Sequence, residues 1–224
     1  MKQDKIQFQR VYMAFGQRTD SVALSDVSFG IKEGEFVGIN GPNGSGKSTM
    51  LKLIMGIHKP TSGRVIVNQK IIHDFTEEEL SQYRISTVGM VFQDFGLIDF
   101  LTVRENIEIP MIIAEKPKEE RERRIDELSE LLSIKPLLDA KVETLSGGEK
   151  QRVSIATGLV NDPEIVLADE PTANIDKEGR KEIIDLFEGL HQRGKTLVMV
   201  SHEEPMFRDA DRVLKFDKGY LLNG

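Results

Sequence analysis

Gly41-Pro42-Asn43-Gly44-Ser45-Gly46-Lys47-Ser48-Thr49 satisfies the phosphate-cradling spacing G-x-x-x-x-G-K-[ST], from Gly41 through Gly46 and Lys47 to Ser48. A triphosphate needs several hydrogen-bond donors converging on it. Backbone N–H groups converge only where side chains leave the approach open. Gly44 and Gly46 let the chain wrap a phosphate, and Gly41 permits a tight exit from a strand. Lys47 brings a point charge toward the β- and γ-phosphates, and the Ser48 hydroxyl can ligate Mg²⁺. A helix starting there adds the positive end of its dipole.

The flanks agree with this reading. Glu35-Phe36-Val37-Gly38-Ile39 is a short apolar strand, and Met50-Leu51-Lys52-Leu53-Ile54 continues as an apolar-faced helix expected over 47–57. The bland alternative, a glycine-rich turn with an incidental lysine, would not call for both a strand before it and a helix after it.

The chain has 224 residues, which suits one large domain or two small ones. A hydrophobic content of 39% with 30% charged residues is that of a globular chain able to bury a core. The net charge of −7 argues against a general nucleic-acid binder, which needs a basic footprint. With no cysteine, disulfides and thiolate metal sites are excluded, and four scattered histidines do not suggest a metal cluster. The opening MKQDKIQFQR holds no apolar h-region, so no signal peptide is expected. No apolar run reaches the ~20 residues of a membrane span. These features predict an intracellular protein without direct membrane insertion.

Apolar alternation in 6–12 and again in 22–31 predicts antiparallel strands at the N-terminus. Further strands are expected at 36–39, 64–68 and 86–92. Thr76-Glu77-Glu78-Glu79 looks like a capping box opening a short helix. From Leu101 to about Asn161 no strand pattern appears, and Ile125, Leu128 and Leu132 fall on one helical face. Buried-strand character returns at 164–168 and 196–200, with a helix expected from Asp176 to about Gln192 between them. The expected class is therefore α/β: a P-loop NTPase core with a mainly parallel sheet, an N-terminal antiparallel β portion and an inserted α-helical subdomain. As one domain over 1–224, it divides into a nucleotide-binding core of 1–93 and 162–224 and a helical subdomain of about 94–161.

Ile165-Val166-Leu167-Ala168-Asp169-Glu170 is an apolar run ending in two carboxylates, as the centre of a parallel sheet requires. Ligands gather beyond the carboxyl ends of such strands. Asp169 is placed to hold Mg²⁺, and Glu170 to polarise an attacking water. Leu145-Ser146-Gly147-Gly148-Glu149-Lys150-Gln151-Arg152 contains the capping box Ser146/Glu149 for the helix that follows. The box does not explain Gly147 and Gly148, each costing about 1 kcal/mol relative to alanine in a helix. They make sense if this helix start must approach an anion closely.

Together these motifs resemble the ATP-binding subunit of ABC transporters over nearly the whole chain, LSGGEKQR matching the family's signature sequence. The resemblance implies head-to-tail pairing of two such domains. Each ATP would lie between the phosphate loop of one and the signature residues Ser146, Gly147, Gly148 and Glu149 of the other. It also implies that Gln93 is the Q-loop glutamine touching Mg²⁺ and the attacking water. Asp176, in Asn174-Ile175-Asp176, fits the D-loop across the dimer, although it can equally cap a helix. His202 fits the switch histidine that contacts the γ-phosphate. Phe15 fits the aromatic that stacks on adenine, with Tyr12 as a rival and a core role open for both. Ile155-Ala156-Thr157-Gly158-Leu159 departs from the usual Ala-Arg-Ala-Leu, removing a basic side chain and weakening a helix interior by about 1 kcal/mol.

The implied activity is hydrolysis of Mg-ATP by an in-line water, with Glu170, His202, Lys47 and Gln93 as catalytic residues. The implied partners are a second ATP-binding subunit and a transmembrane permease that holds the protein at the inner face of the membrane. Phe95-Gly96-Leu97-Ile98-Asp99-Phe100-Leu101 would dock the permease if exposed, or form the helical subdomain's core if buried. Val88–Gln93 and Leu101–Asn106 are similar to the lipoprotein-release, macrolide-export and cell-division branch. The other class is a soluble ABC-type ATPase acting in cofactor assembly, DNA repair or translation.

Overall fold

The computed structural model describes residues 4–16 and 22–223, so the first three residues of the opening segment lie outside it. The chain forms two compact units, Met1–Ser81 with Phe187–Gly224, and Gln82–Leu186. The expected helical segment 94–161 falls inside the second unit, which also carries two strands.

In the first unit, β1 (Asp4–Ala14) and β2 (Val22–Lys32) pair antiparallel; β4 (Ser62–Val67) adds on the other side of β1, and β5 (Lys70–Ile71) completes the order β2-β1-β4-β5. Alternation along β1 changes parity midway. Ile6 and Phe8 are buried, then Val11 and Met13. A bulge at Arg10, with φ +49°, inserts one extra residue and brings the second apolar pair back to the core face.

The same unit contains β3 (Phe36–Asn40), lying parallel between β8 (Thr196–Val200) and β9 (Arg212–Asp217), with β10 (Tyr220–Asn223) antiparallel to β9. Phe8 stacks on Phe29 at 4.7 Å, and Phe29 meets Phe216 of β9 edge-on at 6.4 Å. These rings join the antiparallel sheet to the parallel strands. Arg212 adds a polar tie, donating to Glu35 Oε1 at 2.6 Å and to the Gly30 carbonyl.

Helix α1 (Lys47–Ile54) ends three residues before its expected limit. Gly56 takes φ +67°, and the amides of Gly56 and Ile57 turn back to the carbonyls of Leu53 and Lys52 at 3.1 and 2.9 Å. That pair of bonds is a Schellman stop, which satisfies the last carbonyls and reverses the chain. Helix α2 (Glu77–Ser86) starts at the expected box, Glu79 N donating to Thr76 Oγ1 at 3.2 Å and Thr76 N to Glu79 Oε2 at 2.8 Å. It takes Ser86, which the strand expectation had claimed, so that β6 begins only at Val88.

The second unit holds β6 (Val88–Val91) and β7 (Ile165–Asp169), parallel and fully buried. Around them lie α3 (Val103–Ile113), α4 (Lys118–Leu131) and α5 (Gly147–Leu159), and α6 (Lys177–Gln192) begins there. Ile125, Leu128 and Leu132 are buried along one line of α4 and its cap, as their spacing requires.

Helix α5 packs on β6 through two glycines. A Cβ on Gly89 would stand 2.1 Å from the Gly158 carbonyl oxygen, and one on Gly158 would stand 2.6 Å from that of Met90. The departure at Gly158 therefore has a packing role that offsets its helix-propensity cost. Thr157 Oγ1 donates back to the Val153 carbonyl at 2.9 Å. Gly89→Val must push β6 from α5, and a loss of about 2 kcal/mol or more is expected. A denaturant midpoint unchanged from the parent would show that the contact is slack.

Candidate functional site

The phosphate loop is shaped by what lies behind it. β3 is buried through Ile39, which stands opposite Val200 of β8 and Leu214 of β9. The chain leaves its carboxyl end at Asn40 and passes between neighbouring backbones. A Cβ on Gly41 would lie 2.2 Å from the Phe216 carbonyl oxygen, and one on Gly46 would lie 2.2 Å from that of Ala23. Both glycines have positive φ, +155° and +104°. No side chain fits between the loop and either wall at these two points, so the loop stays seated against them.

Gly46 caps α1 with no side-chain acceptor, and the first turn of α1 holds no acid. Its orphan amides and dipole are thus offered to an anion. Lys47 is buried at 6% exposure, and its Nζ donates to the carbonyls of Gly41 and Pro42 at 2.8 and 3.0 Å. These bonds fix the ammonium across the mouth of the loop. The Ser45 hydroxyl is buried with no hydrogen-bond partner among the described residues. Ser48 and Thr49 stand in the first turn of α1.

His202 follows β8 at the same carboxyl edge. Its Nε2 lies 2.9 Å from Asn43 Oδ1. An amide oxygen only accepts, so Nε2 carries the proton in this pair. The structure thus brings two predicted residues together in a contact not expected from the sequence. Phe15 stands just past β1 and is 45% exposed, whereas Tyr12 is half-buried within the strand opposite Ser62.

The remaining predicted residues stand in the second unit. Val91 of β6 is level with Ala168 of β7, so Gln93 and the pair Asp169–Glu170 emerge side by side at the carboxyl ends. Asp169 is 8% exposed and makes no ion pair among the described residues. Glu170 has φ +48°, a left-handed backbone that costs a non-glycine residue about 1–3 kcal/mol.

The signature helix α5 carries the full capping box. Ser146 N and Oγ donate to Glu149 Oε2 at 2.8 and 2.7 Å, and Glu149 N donates to Ser146 Oγ at 3.4 Å. The Ser146 side-chain bond, then its backbone bond, hold the Glu149 carboxyl below its ordinary value. Gly147 and Gly148 behave differently from the glycines of the phosphate loop. A Cβ at either would meet Asn174 only at ordinary distances, 3.6 and 3.4 Å. The chain's own packing gives them no reason to be glycine. Asp176 caps α6 through Gly179 N at 2.8 Å, and Ile175 is buried at 5% exposure, so it fills the place of the commoner leucine.

Residues 95–101 are exposed at Ile98 (38%) and Phe100 (71%), with Phe95, Leu97 and Leu101 half-buried. Ser154 Oγ of α5 donates to the Phe95 carbonyl at 2.6 Å, and Lys150 Nζ lies 3.3 Å from Asp99 Oδ1. Asn106 of α3 accepts from Ile98 N at 2.8 Å and donates to its carbonyl at 3.1 Å. Neither Ser154 nor Asn106 was predicted. The available signal was a polar residue on an apolar helix face, since Asn106 sits among buried Val103, Ile107 and Met111.

A phosphate loop, an acid-terminated buried strand and a glycine-opened signature helix define a nucleotide-binding ATPase, and its relatives identify the family. The ABC transporter family model matches residues 24–173. An uncharacterised ABC transporter ATP-binding protein of Thermotoga maritima is 44% identical over 89% of this chain and 85% of its own. The macrolide export ATP-binding/permease protein MacB of Brucella melitensis biotype 1 is 37% identical over 89% of this chain and 31% of its own. A dimeric post-hydrolysis structure of the ATP-binding cassette MJ0796, bound to ADP and Pi, superposes with TM-score 0.92 at 37% identity, covering 97% of each chain. This chain belongs to the ABC transporter family, as an ATP-binding subunit with ATPase activity. The soluble-ATPase alternative is not supported by these relatives.

Glu149→Gln keeps the shape of the cap but removes its charge, so a loss of about 0.3–1 kcal/mol at neutral pH is expected. A carboxyl held low in the folded state contributes stability above its unfolded value, near pH 4.3, and loses it as pH falls through the folded value. The gap between variant and parent should therefore close as pH falls below that unfolded value. Urea titrations at several pH values check this, and a gap that stays constant would contradict it.

Proposed function

We propose that two copies of this chain pair head to tail, each ATP held by the phosphate loop of one copy and the signature helix of the other. The observation that carries this is Gly147–Gly148: two glycines opening a helix, with packing room for side chains, whose absence suits an approaching anion. That the similar cassette MJ0796 is dimeric with ADP and Pi bound supports pairing of two copies. In this reading residues 1–93 and 162–224 act as the nucleotide-binding core, and 94–161 as the arm that presents Ser146, Gly147, Gly148 and Glu149 to the partner's nucleotide, with Asp176 beside them.

Within one copy, Gly41 to Thr49 bind the phosphates, and Lys47 turns from the loop carbonyls to the β- and γ-phosphates. Mg²⁺ fits the donor set. Ser48, Gln93 and Asp169 offer hard oxygens of the kind it prefers, and Asp169 is a buried carboxylate without an ion pair among the described residues. Bound there, the cation would neutralise phosphate charge. Glu170 orients the attacking water and accepts its proton; His202, its Nε2–H turned from Asn43 to the γ-phosphate, stabilises developing charge; Gln93 helps to place the water. Loss of the γ-phosphate removes contacts shared by both copies and lets them part.

The force passes to a transmembrane permease, which holds the protein at the inner face of the cell membrane. No helix among the described residues is long and apolar enough to cross a membrane itself. Exposed Ile98 and Phe100 supply the docking surface, and their segment is tied to α5 through Ser154 and Lys150.

Glu170→Gln should retain ATP affinity and lose about 10²-fold or more in turnover. Parental turnover in that variant would remove Glu170 from the mechanism. Lys47→Ala should lose binding of a fluorescent ATP analogue altogether; retained affinity would contradict the role given to the ammonium. Phe100→Asp, coexpressed with the permease, should fail to co-purify with it while still binding ATP, and undiminished co-purification would place the docking surface elsewhere.

A further inference from the structure

We infer that His58 is a positioning residue for the nucleotide base, bracing Phe15 in an edge-to-face pair so that a free ring face stays presented to adenine. The inference rests on the reading that Phe15, not Tyr12, stacks on the base.

Phe15 and His58 lie with ring centroids 5.2 Å apart and planes at 76°. Such an edge-to-face pair brings the electropositive rim of one ring to the π face of the other, which suits both quadrupoles. It limits rotation of a phenyl group that is 45% exposed. A free exposed ring must surrender that rotation when a base stacks on it, and a braced ring has surrendered it already.

The brace is anchored at both ends. Ala14 N, one residue before Phe15, donates to Thr61 Oγ1 at 3.1 Å, and Thr61 N donates to the Tyr12 carbonyl at 2.9 Å. The end of β1 and the turn after α1 thus move as one piece. On the other side, the amides of Ile57 and His58 both reach the Lys52 carbonyl, at 2.9 and 3.4 Å. His58 is therefore fastened to the helix whose first turn receives the phosphates. Base platform and phosphate loop share one short rigid element, and His58 is the side chain that links them. Its removal should weaken ATP binding by about 2- to 10-fold, the range set by one aromatic pair, and should act on KM rather than kcat.

The chain contains no tryptophan, so Phe15→Trp provides a single fluorescent reporter. ATP should quench that reporter, and adding His58→Ala should shift the titration to about 2- to 10-fold higher ATP. His58→Phe should restore it. Inorganic triphosphate, which lacks a base, should inhibit the ATPase equally in His58→Ala and in the parent. An ATP titration unmoved by His58→Ala overturns the inference while leaving the stacking role of Phe15 intact. So does equal weakening of ATP and inorganic triphosphate, which would make His58 a general support of α1. Absence of quenching in Phe15→Trp overturns the stacking reading, and the inference falls with it.

Discussion

The backbone of the phosphate loop is wedged between two carbonyl walls, and the chemistry of the first unit follows from that confinement. Ala23 of β2 stands behind Gly46, and Phe216 of β9 stands behind Gly41, each leaving no room for a methyl group. The loop cannot sink further and cannot carry side chains at those points. The antiparallel sheet and the β9 strand, remote from nucleotide chemistry in sequence, are thus the mould in which the anion site is cast. Asn43, at the tip of the same loop, then holds the His202 imidazole with its Nε2 protonated.

The second unit shows a complementary economy. β6 and β7 end level with each other, so Gln93, Asp169 and Glu170 appear at one edge without any long-range adjustment. Glu170 accepts a strained backbone there. Helix α5 presents glycines that its own packing does not need, and Asp176 beside it caps α6, to which Arg152 of α5 is joined through Glu182 at 2.8 Å. An element stiffened on its inner side and left bare on its outer side is suited to meeting something that arrives from elsewhere. A second copy's nucleotide answers that description.

Much of this was legible in the chain because the decisive signals are local. The phosphate spacing, the apolar runs of β7 and β8, the two capping boxes at Thr76 and Ser146 and the spacing of Ile125, Leu128 and Leu132 each act within a few residues. The hairpin of β9 and β10 went unread, although Lys218-Gly219, both at positive φ, mark a tight turn between two apolar runs. The early stop of α1 depends on Gly56, which periodicity does not register. What sequence could not reveal were contacts between distant residues: the backbone approach of Gly89 to Gly158, the Asn106 clamp on Ile98, and the meeting of His58 with Phe15. Those require knowing which surfaces face each other, and no local pattern encodes that.

In the function proposed, nucleotide completes its own binding site by joining two chains. Light-scattering mass of the hydrolysis-blocked Glu170→Gln protein, measured with and without ATP, tests it most directly. The expected result is a single-chain mass of 25.3 kDa with ADP or no nucleotide, and about twice that with ATP. A single-chain mass at saturating ATP, persisting when the permease is supplied, would contradict the account.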